Sequence, residues 1–169
     1  NWVTGDIIVA SQKKCVGVDF GAKSVKVAEL ALTKNGLRVL NVGSAEFNIP
    51  PDAPPADRHK IQANTLRALL KSLKISTREA VFCMPGQTVF VRRFPLPKTS
   101  PERLEKIIRY EARQQIPFPV DKTLLEYQVF DTVDRPEVDV FLVALKKDAL
   151  FEFMNLVDRS GLKPVGISV

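Results

Sequence analysis

The chain has 169 residues, 45% of them hydrophobic and 26% charged, with a net charge of +6. That length suits one compact domain or two small lobes, the balance is that of an ordinary globular chain, and the modest positive charge is explained as well by solvated lysines and arginines as by an anionic partner. No stretch is long and apolar enough to cross a bilayer and the start does not read as a signal peptide, so the sequence predicts a cytoplasmic protein with any membrane connection running through a partner.

Residues 1–13 show no clear periodicity beyond "DIIVA" and read as an extension of uncertain order. Residues 14–20 and 24–32 alternate as two strands, and a third follows over 37–47 after the turn signal Lys34-Asn35-Gly36. Together they predict an antiparallel meander. The run "IPPDAPPADR" is a loop, because its prolines exclude a helix interior and a central strand. A helix is predicted over about 58–74, with Ile61, Leu66, Leu69, Leu70 and Leu73 on one stripe and Asp57 as N-cap. "AVFCMP" is a short buried strand that Pro85-Gly86 ends.

A second group of elements then begins. "TVFVRRFPLP" predicts a strand that stops at its prolines. Ser100 is placed to cap a helix with Pro101 at its first position, running to about Gln115. "LLEYQVFDTV" and "EVDVFLVALK" predict two strands joined by a turn near Asp134-Arg135-Pro136. A helix over 147–160 puts Ala149, Leu150, Phe153, Met154 and Val157 on one face, and Gly161 stops it. "KPVGISV" is a last strand. The order is βββαβ, then βαββα, then β, an α/β (α+β) chain with no solenoid repeat.

The sequence has no G-x-x-x-x-G-K-[ST] and no G-x-G-x-x-G. "DFG" lacks the H-R-D loop and glycine-rich strand of a protein kinase. His59 is the only histidine and lies in a polar segment, so no Ser-His-Asp set can be built. Cys15 and Cys83 lie within apolar runs and are predicted to be buried free thiols. What remains is the turn in "CVGVDFGAKSVKVAEL". Amides of a tight, glycine-containing turn can converge on a phosphate. Here Asp19, Gly21, Ala22, Lys23 and Ser24 are the candidate phosphate-binding residues, with Lys23 or Lys26 adding charge and Asp19 positioned to hold Mg²⁺ through water when a nucleotide is present. The plain alternative is that Asp, Gly and Ser are simply good turn residues.

The other constellation is "YEARQQIPFP". On the 101–115 helix Leu104, Ile107, Ile108 and Ala112 share a face. Lys106, Arg109 and Arg113 lie opposite, interleaved with Glu102 and Glu105, which reads as a solvated face. Glu111 falls inside the apolar stripe, where an unpaired charge is costly. Arg92 or Arg93 of the preceding strand is the expected ion-pair partner, with amides of the 116–119 loop as the alternative.

Four blocks in order, "VGVDFGAKSVKVAEL", "AVFCMPGQTVFVRRFPLP", "IIRYEARQQIPFPVDKTLLEYQVF" and "VDVFLVALKKDALFEFMNLVDRSGLKPVGISV", resemble the PilM family of actin-like type IV pilus assembly proteins and, more distantly, the cell-division protein FtsA. "EARQQIPFP" is the most specific. The resemblance implies half of an actin-like (ribonuclease H-like) ATPase lobe. Residues 14–86 would be the first part of subdomain 1A, 87–161 an inserted strand–helix–strand–strand (SHS2-type) 1C subdomain, and 162–169 the strand returning to 1A. Actin-like proteins usually carry Thr or Ser after D-x-G, where this chain has Ala22, so one hydroxyl ligand is lost while Ser24 remains. No second D-x-G occurs. The chain is thus expected to be either a piece of a longer protein or a protein that works without the closing half of an ATP site.

The resemblance further implies a scaffold of the pilus, or related type II secretion, assembly platform, peripheral to the inner membrane. Its expected partner is the N-terminal tail of a PilN-like membrane protein, bound as an extended peptide in a groove partly walled by Ile116, Pro117 and Phe118. Other platform proteins are further candidates. ATP and Mg²⁺ are the expected ligands, weakly held by this chain alone and not hydrolysed. The alternatives are half of a sugar or acetate kinase, which would need a substrate acid near the hairpin, and an FtsA-like protein. A nucleic-acid binder is disfavoured by the acids interleaved with the cations.

Overall fold

The computed structural model describes residues 13–131 and 135–168. Its elements in chain order are β1 (Lys14–Phe20), β2 (Ser24–Thr33), β3 (Gly36–Glu46), α1 (Pro55–Ser72), β4 (Glu79–Cys83), β5 (Val89–Pro97), α2 (Pro101–Gln115), β6 (Thr123–Asp131), β7 (Glu137–Lys146), α3 (Lys147–Ser160) and β8 (Lys163–Ser168). They fall into two compact units. One runs through Pro85 and resumes at Phe153; the other is Gly86–Glu152. The expectations for residues 1–12 and for the start of the turn near Asp134 lie outside the described residues.

Alternation sets the first unit. β1, β2 and β3 form the antiparallel meander, β4 joins β1 in parallel, and β8 joins β4 in parallel, giving the order β3-β2-β1-β4-β8. Val18 opposes Val27 and Phe20 opposes Val25, so these side chains share one face and all are buried, as a period of two requires. That face is covered by α1. At Gly43 on β3 an added Cβ would come within 2.8 Å of Leu73 Cδ1 and 3.3 Å of Leu69 Cδ1. The missing side chain is therefore what lets the helix approach. α1 starts at Pro55, with Pro54 rather than Asp57 as N-cap residue. Proline at the first helical position has no intrahelical N–H to lose and a preset φ, so the prolines that bar a helix interior here open the helix.

Four aromatic rings close the same core. Phe20 stacks on Phe82 and on Phe47, each at 6.4 Å, and Phe153 of α3 meets Phe20 edge-on at 6.3 Å and Phe82 at 6.5 Å. Phe153 onward groups with this first unit and residues 147–152 with the second, whereas the sequence places all of 147–160 with the inserted unit.

The second unit is a three-stranded antiparallel sheet, β5-β7-β6, with α2 on one face. Leu96, Ile108, Ala112, Ile116, Val138, Val140, Leu142 and Ala144 form its core. The α2 stripe faces it as the helical spacing predicts. β5 runs through Pro95 and ends at Pro97; Pro95 is tolerated inside it because β5 is an edge strand, where a missing ladder N–H on the open side costs nothing. Ser100 occupies the N-cap position of α2 but makes no side-chain cap bond. The opposite face of the sheet carries Val91, Leu124, Phe130 and Phe141, which are 38–49% exposed.

Candidate functional site

The β1–β2 turn brings the five hairpin residues together. Asp19 and Phe20 end β1, Ser24 opens β2, and the register pairs Asp19 with Lys26 and Phe20 with Val25. Gly21 N donates to Ser24 O at 2.9 Å and closes the turn. A Cβ on Gly21 would sit 3.2 Å from that same oxygen, a close approach that favours glycine. The turn is pinned to the sheet edge by Phe47 N, which donates to Lys23 O at 2.8 Å. The amides of Ala22 and Lys23 make no hydrogen bond to the described residues and are the turn's available donors.

One of the two hairpin lysines is paired. Lys26 Nζ lies 3.8 Å from Asp19 Oδ2, with both side chains largely in solvent. Beside them a shallow hollow of about 350 Å³ is lined by Gly17, Asp19, Lys26, Ala28, Val81 and Cys83, among others. Burial, and then the Asp19 carboxylate, push the Cys83 thiol above its ordinary value, so it presents a protonated, weakly polar wall. Burial likewise raises Cys15. Both cysteines are free and only partly buried, less enclosed than their apolar surroundings in sequence suggested. Among the described residues no group of three or more His, Cys, Asp or Glu side chains could hold a metal ion. One carboxylate, one hydroxyl, a lysine and two free amides are groups that could meet a phosphate and, through water, a cation beside it.

The expected ion pair of Glu111 with Arg92 or Arg93 does not form. Arg93 Nη2 bonds Asp139 Oδ2 at 2.8 Å, and this hydrogen bond holds the Asp139 carboxyl below its ordinary value. Arg92 instead lies over the Phe90 ring, 5.2 Å from its centroid. Glu111 is only half-buried and accepts from Gln115 Nε2 at 3.1 Å, one helical turn on. Register explains the loss of Arg93. Pro95 opposes Asp139, so Arg93 and Asp139 lie on the sheet face away from α2.

The 116–118 segment divides. Ile116 is 6% exposed and belongs to the core of its unit, so it offers no groove wall. Phe118 is half-buried, edge-on to Phe90 at 6.2 Å with Lys146 Nζ 5.2 Å from its ring centre, and Pro117 is exposed.

One polar cluster escaped the sequence reading. Glu29 is 4% exposed and accepts from Asn41 at 2.6 Å and Thr77 at 2.5 Å. The signal was present: Val25, Val27, Glu29 and Ala31 share a parity, so the acid sits on the buried face of β2.

A meander with two parallel strands added, covered by helices and interrupted by a strand–helix–strand–strand unit, is half of an actin-like lobe. The sequence model of the family described as "Type IV pilus assembly protein PilM" matches residues 17–169, and the chain belongs to that family. Among solved structures, a "PilM-PilN type IV pilus biogenesis complex" superposes with a TM-score of 0.72 at 23% identity, covering 94% of this chain and 48% of the other. The cytoplasmic domain of EpsL, an inner membrane component of the type II secretion system of Vibrio cholerae, superposes with a TM-score of 0.54 at 14% identity, covering 92% of this chain and 57% of that one. The chain thus spans about half the length of the solved chains it matches.

Proposed function

We propose that this chain is the part of an actin-like pilus assembly scaffold that engages the N-terminal tail of a PilN-like inner-membrane protein and supplies one side of a nucleotide phosphate site. The observation that carries the first half is the family match over 17–169, together with the likeness of 94% of the chain to a protein solved as a PilM-PilN complex. Among the described residues no helix is long and apolar enough to cross a membrane. Exposed Pro117 and half-buried Phe118 are the surface of the 116–118 segment that remains for an extended peptide, where main-chain pairing gives affinity and an apolar side chain specificity.

The second half rests on the hairpin. The amides of Ala22 and Lys23 and the Ser24 hydroxyl would hold phosphate oxygens, Lys23 would add charge, and Asp19 would hold a Mg²⁺ through water. The test of the scaffold reading is fluorescence anisotropy with a labelled PilN N-terminal peptide. Saturable binding that Phe118→Ala weakens about tenfold, or 1.4 kcal/mol, is the expected result. No binding at high micromolar peptide by the intact chain overturns it.

A further inference from the structure

On the second unit α2 and β6 leave a hollow at Ala112. It measures about 300 Å³, is floored by Ala112, Thr123 and Leu125, and is rimmed by Arg109, Arg113 and Lys147; no carboxylate lines it. Ala112, which lines it, is buried. Arg109 and Arg113 are one turn apart and so lie on the same strip of α2. Arg109 is held by Glu105 at 2.8 Å. Arg113 has no ion pair or hydrogen bond from its side chain to the described residues. Lys147 Nζ donates to the backbone oxygen of Asp121 at 2.7 Å, a contact that fixes the ammonium without cancelling its charge.

We propose that this groove docks an extended, acidic segment of a partner protein, one aliphatic side chain entering the hollow over Ala112 and neighbouring carboxylates meeting Arg113 and Lys147. The charge decides the sign of the partner: two cations without ion pairs to the described residues stand over a mainly apolar floor, whose Thr123 hydroxyl is spent on the Pro119 carbonyl, with no acid among the lining residues. The shape decides its class. A bilayer surface engages cations projecting from a flat or convex face, whereas these rim a concavity near the small end of the ligand-pocket range. Arg113 supplies the specific element, since its planar fork matches a carboxylate in two-point fashion. The groove shares no lining residue with the hairpin or the Pro117–Phe118 surface, so its test leaves both of those readings untouched.

The experiment follows backbone amide chemical shifts of the whole chain on titration with the peptide Ac-Glu-Leu-Glu-Leu-NH₂, with its Gln-Leu-Gln-Leu and Lys-Leu-Lys-Leu counterparts in parallel. The acidic peptide is expected to shift the amides of Thr123, Leu124 and Leu125 saturably and to weaken with added salt. Arg113→Glu should weaken it at least about tenfold. Arg103→Glu, an equal charge change at an exposed position of α2 outside the groove, should leave it within about twofold. No shift at millimolar peptide, equal shifts with the neutral peptide, or equal loss in Arg103→Glu overturns the proposal. Co-sedimentation with phosphatidylglycerol vesicles through Arg113, without peptide shifts, overturns it in favour of a lipid surface.

Discussion

Thr77 donates a 2.5 Å hydrogen bond to Glu29 across 48 residues of chain, tying the segment after α1 to the middle of the first sheet. Asn41, directly opposite on β3, donates to the other carboxylate oxygen at 2.6 Å. Burial alone would raise the Glu29 carboxyl; the bonds from Thr77 and Asn41 and the nearby Lys14 outweigh it, and the net direction is down. A carboxyl lowered on folding contributes stability that is present above its unfolded value, about 4.3, and is lost as pH falls through the folded value. Urea midpoints should therefore decline from pH 5 towards pH 3 (roughly the window below that unfolded value) more steeply in the wild type than in Glu29→Gln. Glu29→Ala strands two part-buried donors and should cost about 2 kcal/mol at neutral pH. Parallel pH profiles for wild type and Glu29→Gln would contradict this.

Glu111 makes the opposite case. A buried ion pair with Arg92 or Arg93 would make its truncation severe, but its bond is to Gln115 at 3.1 Å, and it is only half-buried. Pairs of this i,i+4 kind contribute about 0.2–0.5 kcal/mol. Glu111→Ala should thus lower stability by less than about 1 kcal/mol, read from the denaturant midpoint at unchanged slope. A loss several times larger would mean that Glu111 holds the 116–119 loop after all.

These two acids mark how far the sequence speaks. The strands and helices were legible because each has an apolar face at its own period, and the Asp19–Ser24 turn because it interrupts two alternating runs. Glu29 was legible too, through the parity it shares with Val25 and Val27. Its partner Thr77 was not, since nothing local says which distant loop returns to β2. Arg93–Asp139 failed for the same reason: the pairing depends on the register of β5 against β7, fixed by contacts of residues over forty apart (46 for this pair). The start of α1 was misplaced by prolines, whose effect depends on whether they sit in a helix's first turn or in its interior.

Gly43 offers a test of the α1 packing. An alanine there would place Cβ 2.8 Å from Leu73 Cδ1, nearer than two carbons can stand. Leu73 is the C-cap residue of α1 and only partly buried, so its side chain can yield. The expected loss for Gly43→Ala is about 1–2 kcal/mol, in the range for modest overpacking. In a double-mutant cycle Leu73→Ala should remove most of it, because the clash is with that side chain. Additive losses would place the cost in the β3 backbone.

The hairpin sets the last expectation. Two free amides, one hydroxyl, one lysine and one carboxylate would meet a phosphate from a single side, and the sequence has no second D-x-G to meet it from the other. Asp19 is already 3.8 Å from Lys26, so a cation would compete with that ammonium. Each tenfold of affinity is about 1.4 kcal/mol, and this small donor set should hold ATP–Mg²⁺ at a dissociation constant on the order of millimolar, about −4 kcal/mol. In titration calorimetry Asp19→Ala should abolish the difference between binding with Mg²⁺ and with a chelator. Ser24→Ala should weaken both about twofold to threefold, the worth of one exposed hydrogen bond. No phosphate release above a heat-killed control is expected, because no carboxylate or histidine of the described hollow besides Asp19 stands where water could be activated. Micromolar binding, or steady release, would mean that the described residues complete a nucleotide site by means other than this hairpin.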